Sequence, residues 1–148
     1  MIVVDTNVVS ELMRPSPSAV LVGWVRGNER GLYTTSITLA EIRYGIERLA
    51  DGRRKELLRS TAEEVFADFV ERVLAFDAEA AVAYATIVSG RDRAGLPIDG
   101  FDAQIASICR AHRAALATRN AKDFQDTGID VIDPWQSEPP PAPTNPDR

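Results

Sequence analysis

The stretch Ile2-Val3-Val4-Asp5-Thr6-Asn7 decides the fold class, because its chemistry changes from strand to helix start within a few residues. The three β-branched residues form a short apolar run of the kind that fills a buried strand. Asp, Thr and Asn then supply helix-capping chemistry, and Val8, Val9 and Leu12 follow at helical spacing. The N-terminus is therefore predicted to be a strand that passes directly into a helix, which ends before Pro15.

The change from strand to helix recurs along the chain. Residues 32–36 have strand chemistry and lead into Thr38-Leu39-Ala40-Glu41, which matches a capping box at the start of another helix. Further strands are predicted at residues 73–76 and 115–118 and, at a sheet edge, at 130–133. Short strands separated by helices predict an α/β fold with three α/β/α layers and a mainly parallel sheet of four to five strands.

Length and composition set the domain organisation. A chain of 148 residues fits one domain with its own core, which we predict to span residues 1–136. Residues 137–148 contain five prolines and almost no apolar side chains, so we expect a disordered tail. The early Asp5 interrupts the only N-terminal apolar run, and no later run approaches a membrane span, so we expect a cytoplasmic protein without membrane association.

Composition also removes several kinds of active site. The single cysteine, Cys109, has no partner for a disulfide or a CxxC zinc site and fits an apolar helical pattern. A Ser-His-Asp triad or a His-rich zinc site would depend on the single histidine, His112, whose place near a helix end favours a solvated side chain. The net charge of −5 means that an RNA substrate would need a local basic patch or bridging metal ions.

Four acids are predicted to lie at the carboxyl ends of strands, where parallel α/β sheets place their functional crevice. Asp5 ends the first strand, Glu41 follows the second, Asp102 opens a later helix and Asp123 follows the fourth strand. Carboxylates gathered there would repel one another unless a divalent cation, Mg²⁺ or Mn²⁺, were bound between them. Such a metal can activate water for phosphodiester hydrolysis without histidine or cysteine.

Each acid also has a purely structural interpretation. Asp5 could cap the first helix, and Glu41 could complete the capping box that begins at Thr38. Asp99 and Asp102 both lie near a helix N-terminus, where the helix dipole favours negative charge; we prefer Asp102 as a ligand. Asp77 is interpreted as a cap for the helix that starts at residue 78.

Four motifs, in order, resemble the PIN-domain family, specifically the toxin ribonucleases of VapBC- and FitAB-type toxin-antitoxin modules. They are residues 2–7, Ser36 through Gly45, Asp102 through Ala106, and residues 117–124, within a match over about residues 1–135. The resemblance implies a PIN-fold endoribonuclease that uses Mg²⁺ or Mn²⁺. Its metal ligands would be Asp5, Glu41 and Asp102. A polar group from the segment 118–123, with Asn120 and Asp123 as the two candidates, would complete the catalytic set.

The resemblance also implies substrate contacts and partners. Thr6 and Thr118 would support Asp5 or touch substrate, while Arg43, Arg119 and Asn120 would contact RNA. A small VapB- or FitA-like antitoxin would lie across the groove. A homodimer is expected, within a larger toxin-antitoxin assembly, and Val20, Leu21, Trp24 and Val25 could form either its interface or the monomer core.

Three other functions compete with this interpretation. A haloacid-dehalogenase-type hydrolase would need a second aspartate where Asn7 stands, so we disfavour it. A non-enzymatic α/β interaction module would have its acids dispersed as caps and surface charges. A PIN nuclease that processes RNA or DNA without an antitoxin would keep the same metal site.

Overall fold

Five short parallel strands form one sheet in the computed structural model, which describes residues 1–136. The strands are β1 (Ile2–Val4), β2 (Leu32–Thr35), β3 (Val73–Leu74), β4 (Ala115–Ala117) and β5 (Val131–Ile132), and their order across the sheet is β3-β2-β1-β4-β5. Every pair of neighbouring strands is parallel. The predicted parallel sheet with a fifth strand at its edge is confirmed. The predicted tail of residues 137–148 lies outside the described residues, so the boundary of the domain stays a prediction.

Six α-helices connect the strands within residues 1–136. They are α1 (Thr6–Leu12), α2 (Ala19–Asn28), α3 (Ser36–Glu47), α4 (Arg53–Ala67), α5 (Ala78–Arg93) and α6 (Gly100–Ala111). Two 3₁₀ turns, Glu29–Gly31 and Ala121–Phe124, complete the connections before β2 and after β4. None of the helices in this part of the chain has the length and apolar character needed to cross a lipid bilayer.

The sheet separates two apolar clusters, because successive side chains of a strand point to opposite faces. Val4 and Ala117 pack with buried residues of α1 to α4, whereas Val3 and Leu116 pack with buried residues of α5 and α6. Cys109 belongs to the second cluster and is fully buried, as expected for a small core residue. The architecture is therefore the predicted α/β/α sandwich.

Two local predictions need correction. The capping residue of α3 is Thr35, whose hydroxyl accepts from the Thr38 amide, so Thr38 and Glu41 lie inside the helix and do not form a capping box. The third strand is shorter than predicted, and Val73 is 36% exposed, because β3 lies at the edge of the sheet.

The dimer candidates on α2 mostly serve the monomer core. Leu21 is fully buried, and Trp24 and Val25 pack against the first apolar cluster. Only Val20, at 49% exposed, stays at the surface. Of the two interpretations of this apolar group, the structure supports core packing for all but Val20.

The chain direction across the sheet reverses at β1. From β1 the chain moves through β2 to β3, then crosses back to β4 on the other side of β1. Ligands of open α/β sheets bind outside the carboxyl ends of the strands at such a reversal. The structure therefore places the crevice beyond Val4 and Ala117, where Asp5 and Thr118 follow.

Candidate active site

Asp5 is buried at the end of β1 and held by three donors. Its Oδ1 accepts from the Thr6 amide at 2.7 Å, and its Oδ2 accepts from Thr118 Oγ1 at 2.8 Å. Asn7 Nδ2 donates to Thr118 Oγ1 at 3.0 Å and lies 3.4 Å from Asp5 Oδ2. Asp5 is also the N-cap of α1. The two interpretations of Asp5 are thus compatible, since the carboxylate that caps α1 also lines the cavity, where it could bind a metal ion.

A chain of hydroxyl groups fixes Glu41. Thr6 Oγ1 donates to Glu41 Oε1 at 2.9 Å and lies 3.1 Å from Thr38 Oγ1. Because the Thr6 proton is directed at Glu41, Thr38 must donate to Thr6, and Thr38 in turn accepts from Thr35 Oγ1 at 3.4 Å. Thr35 and Thr38 are fully buried. Through these linked hydroxyl groups, the positions of β2 and α3 fix the orientation of the Glu41 carboxylate.

Asp102 enters the same cavity from α6, on the other side of the sheet. The preceding Asp99 is exposed and caps α6, accepting at Oδ1 from the amides of Phe101 at 2.9 Å and Asp102 at 3.4 Å. Asp102 lies in the first turn and lines a cavity of about 470 Å³ together with Asp5 and Glu41. The two acids of this segment are therefore placed differently: Asp99 caps α6, and Asp102 faces the cavity.

Burial, reinforced by nearby negative charges, shifts all three carboxylates toward protonation. Burial raises the pKa of Asp102 to about 7, reinforced by the negative charges of its acidic neighbours, Asp5 first and then Asp99, Asp123 and Glu41. Burial also raises the pKa of Glu41, partly opposed by the hydrogen bond from Thr6. The pKa of Asp5 is raised by burial, although its hydrogen bonds from Thr118 and Thr6 favour the charged form. Negative charge is therefore concentrated here at an electrostatic cost.

No arginine or lysine within residues 1–136 forms an ion pair with Asp5, Glu41 or Asp102. Their oxygens are the hard ligands that Mg²⁺ and Mn²⁺ prefer. In the same part of the chain, no three His, Cys, Asp or Glu side chains are spaced as a ready-made metal cage. Mg²⁺ typically takes only one or two carboxylates and keeps several waters, so this open donor set fits such an ion.

The outer half of the cavity contains different chemistry. It is lined by the side chains of Asn7, Ser10, Glu11, Arg14, Arg119, Asn120 and Trp135. Arg14 pairs with Glu11 at 3.3 Å, and the Arg119 guanidinium lies over the Trp135 ring, 4.9 Å from its centroid. The cavity thus runs from an acidic interior to a rim with two arginines.

The predicted substrate and catalytic residues are not all brought together. Asn120 lines the cavity, and its amide donates to Thr118 Oγ1 at 3.1 Å. Asp123 is exposed on the 3₁₀ turn and does not line the cavity, but its charge raises the pKa of both Asp5 and Asp102. Arg43 lies on α3 outside the lining. Of the two candidates that the sequence left open, Asn120 lines the cavity, whereas Asp123 acts on Asp5 and Asp102 only through its charge.

Sequence reasoning missed several contributors. Trp135, Glu11 and Arg14 had no motif to mark them, although a tryptophan next to a proline just after the last strand was visible. Thr38 was interpreted as a cap, and only the contact between α1 and α3 reveals that it supports Thr6. These contacts join residues distant in sequence, and spacing alone does not report them.

Comparisons with known proteins agree on one family. The family model described as PIN domain matches residues 2–129. The VapC ribonuclease Y4jK of Sinorhizobium fredii is 36% identical over 138 residues, 92% of this chain and 99% of that protein. Toxin FitB of Neisseria gonorrhoeae is 35% identical over 137 residues, 91% of this chain and 99% of that protein. A solved structure of FitAB bound to a DNA fragment matches with a TM-score of 0.86 and 35% identity, over 93% of this chain and 98% of that one.

Proposed function

The chain belongs to the PIN-domain family, with VapC and FitB toxins among its relatives, and from this premise we propose that it is a toxin endoribonuclease dependent on Mg²⁺ or Mn²⁺. Its site would be built on Asp5, Glu41 and Asp102. The observation that carries the proposal is the meeting of these carboxylates, from three separate segments, in one cavity. None of them pairs with a cation of residues 1–136, and the pKa of each is raised by burial and by nearby negative charge. A dispersed set of caps in a non-enzymatic module would not raise the pKa of Asp102 to about 7.

Each residue has a separate task in this proposal. Asp5 and Asp102 would be the direct ligands, and Glu41 would complete the set on the side of α3. A bound divalent cation would supply activation of water and stabilisation of the charge that develops on the phosphate. Thr118 and Thr6 hold the carboxylates of Asp5 and Glu41 in fixed orientations, which limits the reorganisation needed during the reaction.

Asp102 links the site to pH. Its carboxyl retains a proton up to about pH 7 in the absence of a cation, so the charged form that can act as an oxygen ligand dominates only above that pH. Asn120 would contact the substrate from the end of β4, and Asp123 would add negative potential from the adjacent turn. Arg119 would contact phosphate at the rim, whereas Arg43 would need RNA to extend beyond the cavity.

The partners follow from the relatives. One solved relative is a FitAB complex on DNA, and we propose an antitoxin of the same type for this chain, covering the cavity when bound. A homodimer within a larger toxin-antitoxin assembly is part of the proposal, with Val20 as the exposed apolar residue of α2 available to it. An enzyme acting on cellular RNA would work in the cytoplasm.

The test is cleavage of a mixed single-stranded RNA pool by the purified, antitoxin-free chain in Mg²⁺, Mn²⁺ or EDTA. Asp5→Asn and Asp102→Asn should abolish cleavage while preserving side-chain shape. Asp92→Asn is the matched control, since Asp92 is exposed on α5 and lines no part of the cavity. Equal loss in the control variant would show that the effect is not specific to the site.

The outcomes separate the competing functions. Metal-dependent cleavage that only the site variants lose supports the proposal. Cleavage of RNA that a co-expressed neighbouring small protein fails to inhibit would favour a processing nuclease without an antitoxin. Absence of both cleavage and Mn²⁺ binding would favour the non-enzymatic module.

A further inference from the structure

The rim of the active-site cavity carries two arginines, one of them paired with Glu11, and an aromatic ring, on a chain whose net charge is −5. Arg14 lies just after the C-terminal end of α1 and Arg119 on the loop after β4, and both line the cavity. Burial of a metal among acids explains the interior of the cavity but not this rim. The rim therefore has a recognition role to be explained separately.

Trp135 is held firmly beneath Arg119. Its backbone amide donates to Asp133 Oδ1 at 2.9 Å, and its ring packs against the apolar cluster on the α1 side of the sheet. The guanidinium carbon of Arg119 is 4.9 Å from the ring centroid, so the arginine side chain lies over the ring. The tryptophan thus limits the freedom of an otherwise exposed side chain.

The backbone of Arg119 is held by a hydrogen bond, whereas its guanidinium donates none within residues 1–136. Its amide donates to Asn7 Oδ1 at 3.3 Å, and its preceding residue, Thr118, holds Asp5. Among residues 1–136, no carboxylate or carbonyl accepts a hydrogen bond from its guanidinium. The pKa of Glu11 is lowered first by the hydrogen bond from the Ser18 amide, and the positive charge of Arg119 adds to this shift. The planar group is therefore held over Trp135 at the cavity that the carboxylates line, and its N–H donors are unused by the part of the chain that the structure describes.

We propose that Arg119, held over the Trp135 indole, forms a platform on which one base of single-stranded RNA stacks beside the phosphodiester bound at the carboxylates. The N–H edge of the same guanidinium would contact a phosphate, and the Asn120 side chain would lie against the edge of the stacked base. The inference rests on the proposed ribonuclease function and assigns the nucleotide-binding part of the same cavity.

A stacking platform suits single strands because an unpaired base offers an accessible face, whereas a duplex hides its bases. Unpaired bases stack on arginine guanidinium planes as well as on aromatic rings. Stacking on an aromatic side chain contributes roughly 5- to 150-fold in affinity per base, which sets the scale for this platform. Pre-ordering by Trp135 lowers the entropy lost when the arginine is immobilised by substrate. The platform therefore adds a base-dependent contribution to binding that the net negative charge of the chain does not oppose.

The experiment uses Trp135 as its own reporter. The sequence has two tryptophans, so Trp24→Phe leaves Trp135 as the single indole fluorophore. Glu41→Gln is added to prevent cleavage, since its amide oxygen can still accept from Thr6. The probes are an unstructured RNA hexamer and an abasic ribose-phosphate hexamer with the same number of phosphates, titrated in Mg²⁺.

We expect the RNA hexamer to change Trp135 fluorescence and the abasic hexamer to leave it nearly unchanged. Arg119→Lys keeps the charge but loses the plane, so RNA affinity should fall about 10-fold while abasic affinity stays the same. Arg53→Lys is the matched control, because Arg53 is exposed at the start of α4, away from the cavity. If Trp24→Phe does not fold, anisotropy of labelled hexamers on the chain that retains Trp24 gives the same comparison.

The results also separate this inference from the ribonuclease proposal. The platform is overturned if the protein binds the RNA and abasic hexamers with equal affinity. It is also overturned if the Arg119→Lys variant binds RNA as tightly as the protein that retains Arg119. Either result counts even if metal-dependent cleavage is observed. Base-dependent binding that needs Arg119 supports the platform even if no cleavage is found, in which case only the nuclease proposal fails. Absence of RNA binding overturns both.

Discussion

Replacing Asp102 by asparagine should stabilise the metal-free protein at alkaline pH. Asp102 carries the largest carboxyl pKa shift in the described chain, because it is partly buried and faces the negative charges of Asp5, Asp99 and other acids. Asparagine keeps its size and polarity but removes the ionisation. The variant therefore measures how much the negative charge of Asp102 lowers the free energy of unfolding of the metal-free protein.

The sign follows from proton linkage. The pKa of Asp102 is about 7 in the folded chain and about 3.8 when unfolded, so between these values the folded state binds more protons. The contribution of Asp102 to the free energy of unfolding is therefore fully present below pH 4 and is lost as pH rises through 7. Metal-free wild-type protein should lose stability across this window relative to Asp102→Asn.

The magnitude is limited by solvent. The full difference in pKa corresponds to roughly 4 kcal/mol, and screening at a half-open cavity reduces this to about 1–2 kcal/mol. For a chain of this size, that is a difference in Tm of roughly 3–6 °C between variant and wild type at pH 8.5. At pH 4 the two proteins should have nearly the same Tm.

The assay is thermal unfolding from pH 4 to 8.5 in EDTA, with Asp92→Asn on the exposed face of α5 as the control. Addition of Mg²⁺ or Mn²⁺ at pH 8 should raise the Tm of wild type and raise that of Asp102→Asn less, because binding to the folded state stabilises by mass action. Parallel pH curves for wild type and Asp102→Asn, or a wild-type Tm that rises relative to the variant above pH 7, would refute the reasoning.

Three further predictions concern support of the site and the core. Thr118→Val removes the hydroxyl donor of Asp5, so the pKa of Asp5 should rise and the rate–pH profile should move to higher pH, whereas Thr118→Ser should keep both near wild type. Arg91 is buried and donates to the carbonyls of Leu96, Gln125 and Pro97, so Arg91→Met should cost about 2–4 kcal/mol in urea unfolding and expose those loops to limited proteolysis; an unchanged midpoint would contradict this role. Ile105→Ala in the core of α6 should cost about 2–5 kcal/mol, and Phe101→Ala on its exposed face within about 0.5 kcal/mol, by the same measurement.

Local chemistry was enough to predict the alternation of strands and helices. The β-branched run before Asp5, the cap at Asp77 and the helical stripe of α6 each depend on neighbours a few residues away. Parallel sheets then place the residues after each strand at one edge, which is why Asp5 and Glu41 could be predicted to lie together, whereas Asp102 was chosen from its place at a helix start. The comparisons with known proteins confirm the family, while the site residues remain a prediction.

Tertiary structure decided what local spacing left open. Thr35 rather than Thr38 caps α3, because the backbone already turns into the helix at Ser36 and leaves Thr38 to face Thr6. Asn120 rather than Asp123 lines the cavity, because the 3₁₀ turn carries Asp123 to the surface.

The sequence by itself determined the architecture and which acids were predicted at the carboxyl ends of the strands, since both follow from short-range periodicity and capping. The network that fixes those acids, and the stacking of Arg119 on Trp135, were decided only by the fold. Hydrogen bonds such as that between Thr118 and Asp5 join side chains more than a hundred residues apart. Their geometry depends on how β1, β4 and α3 pack together, and no local pattern encodes it.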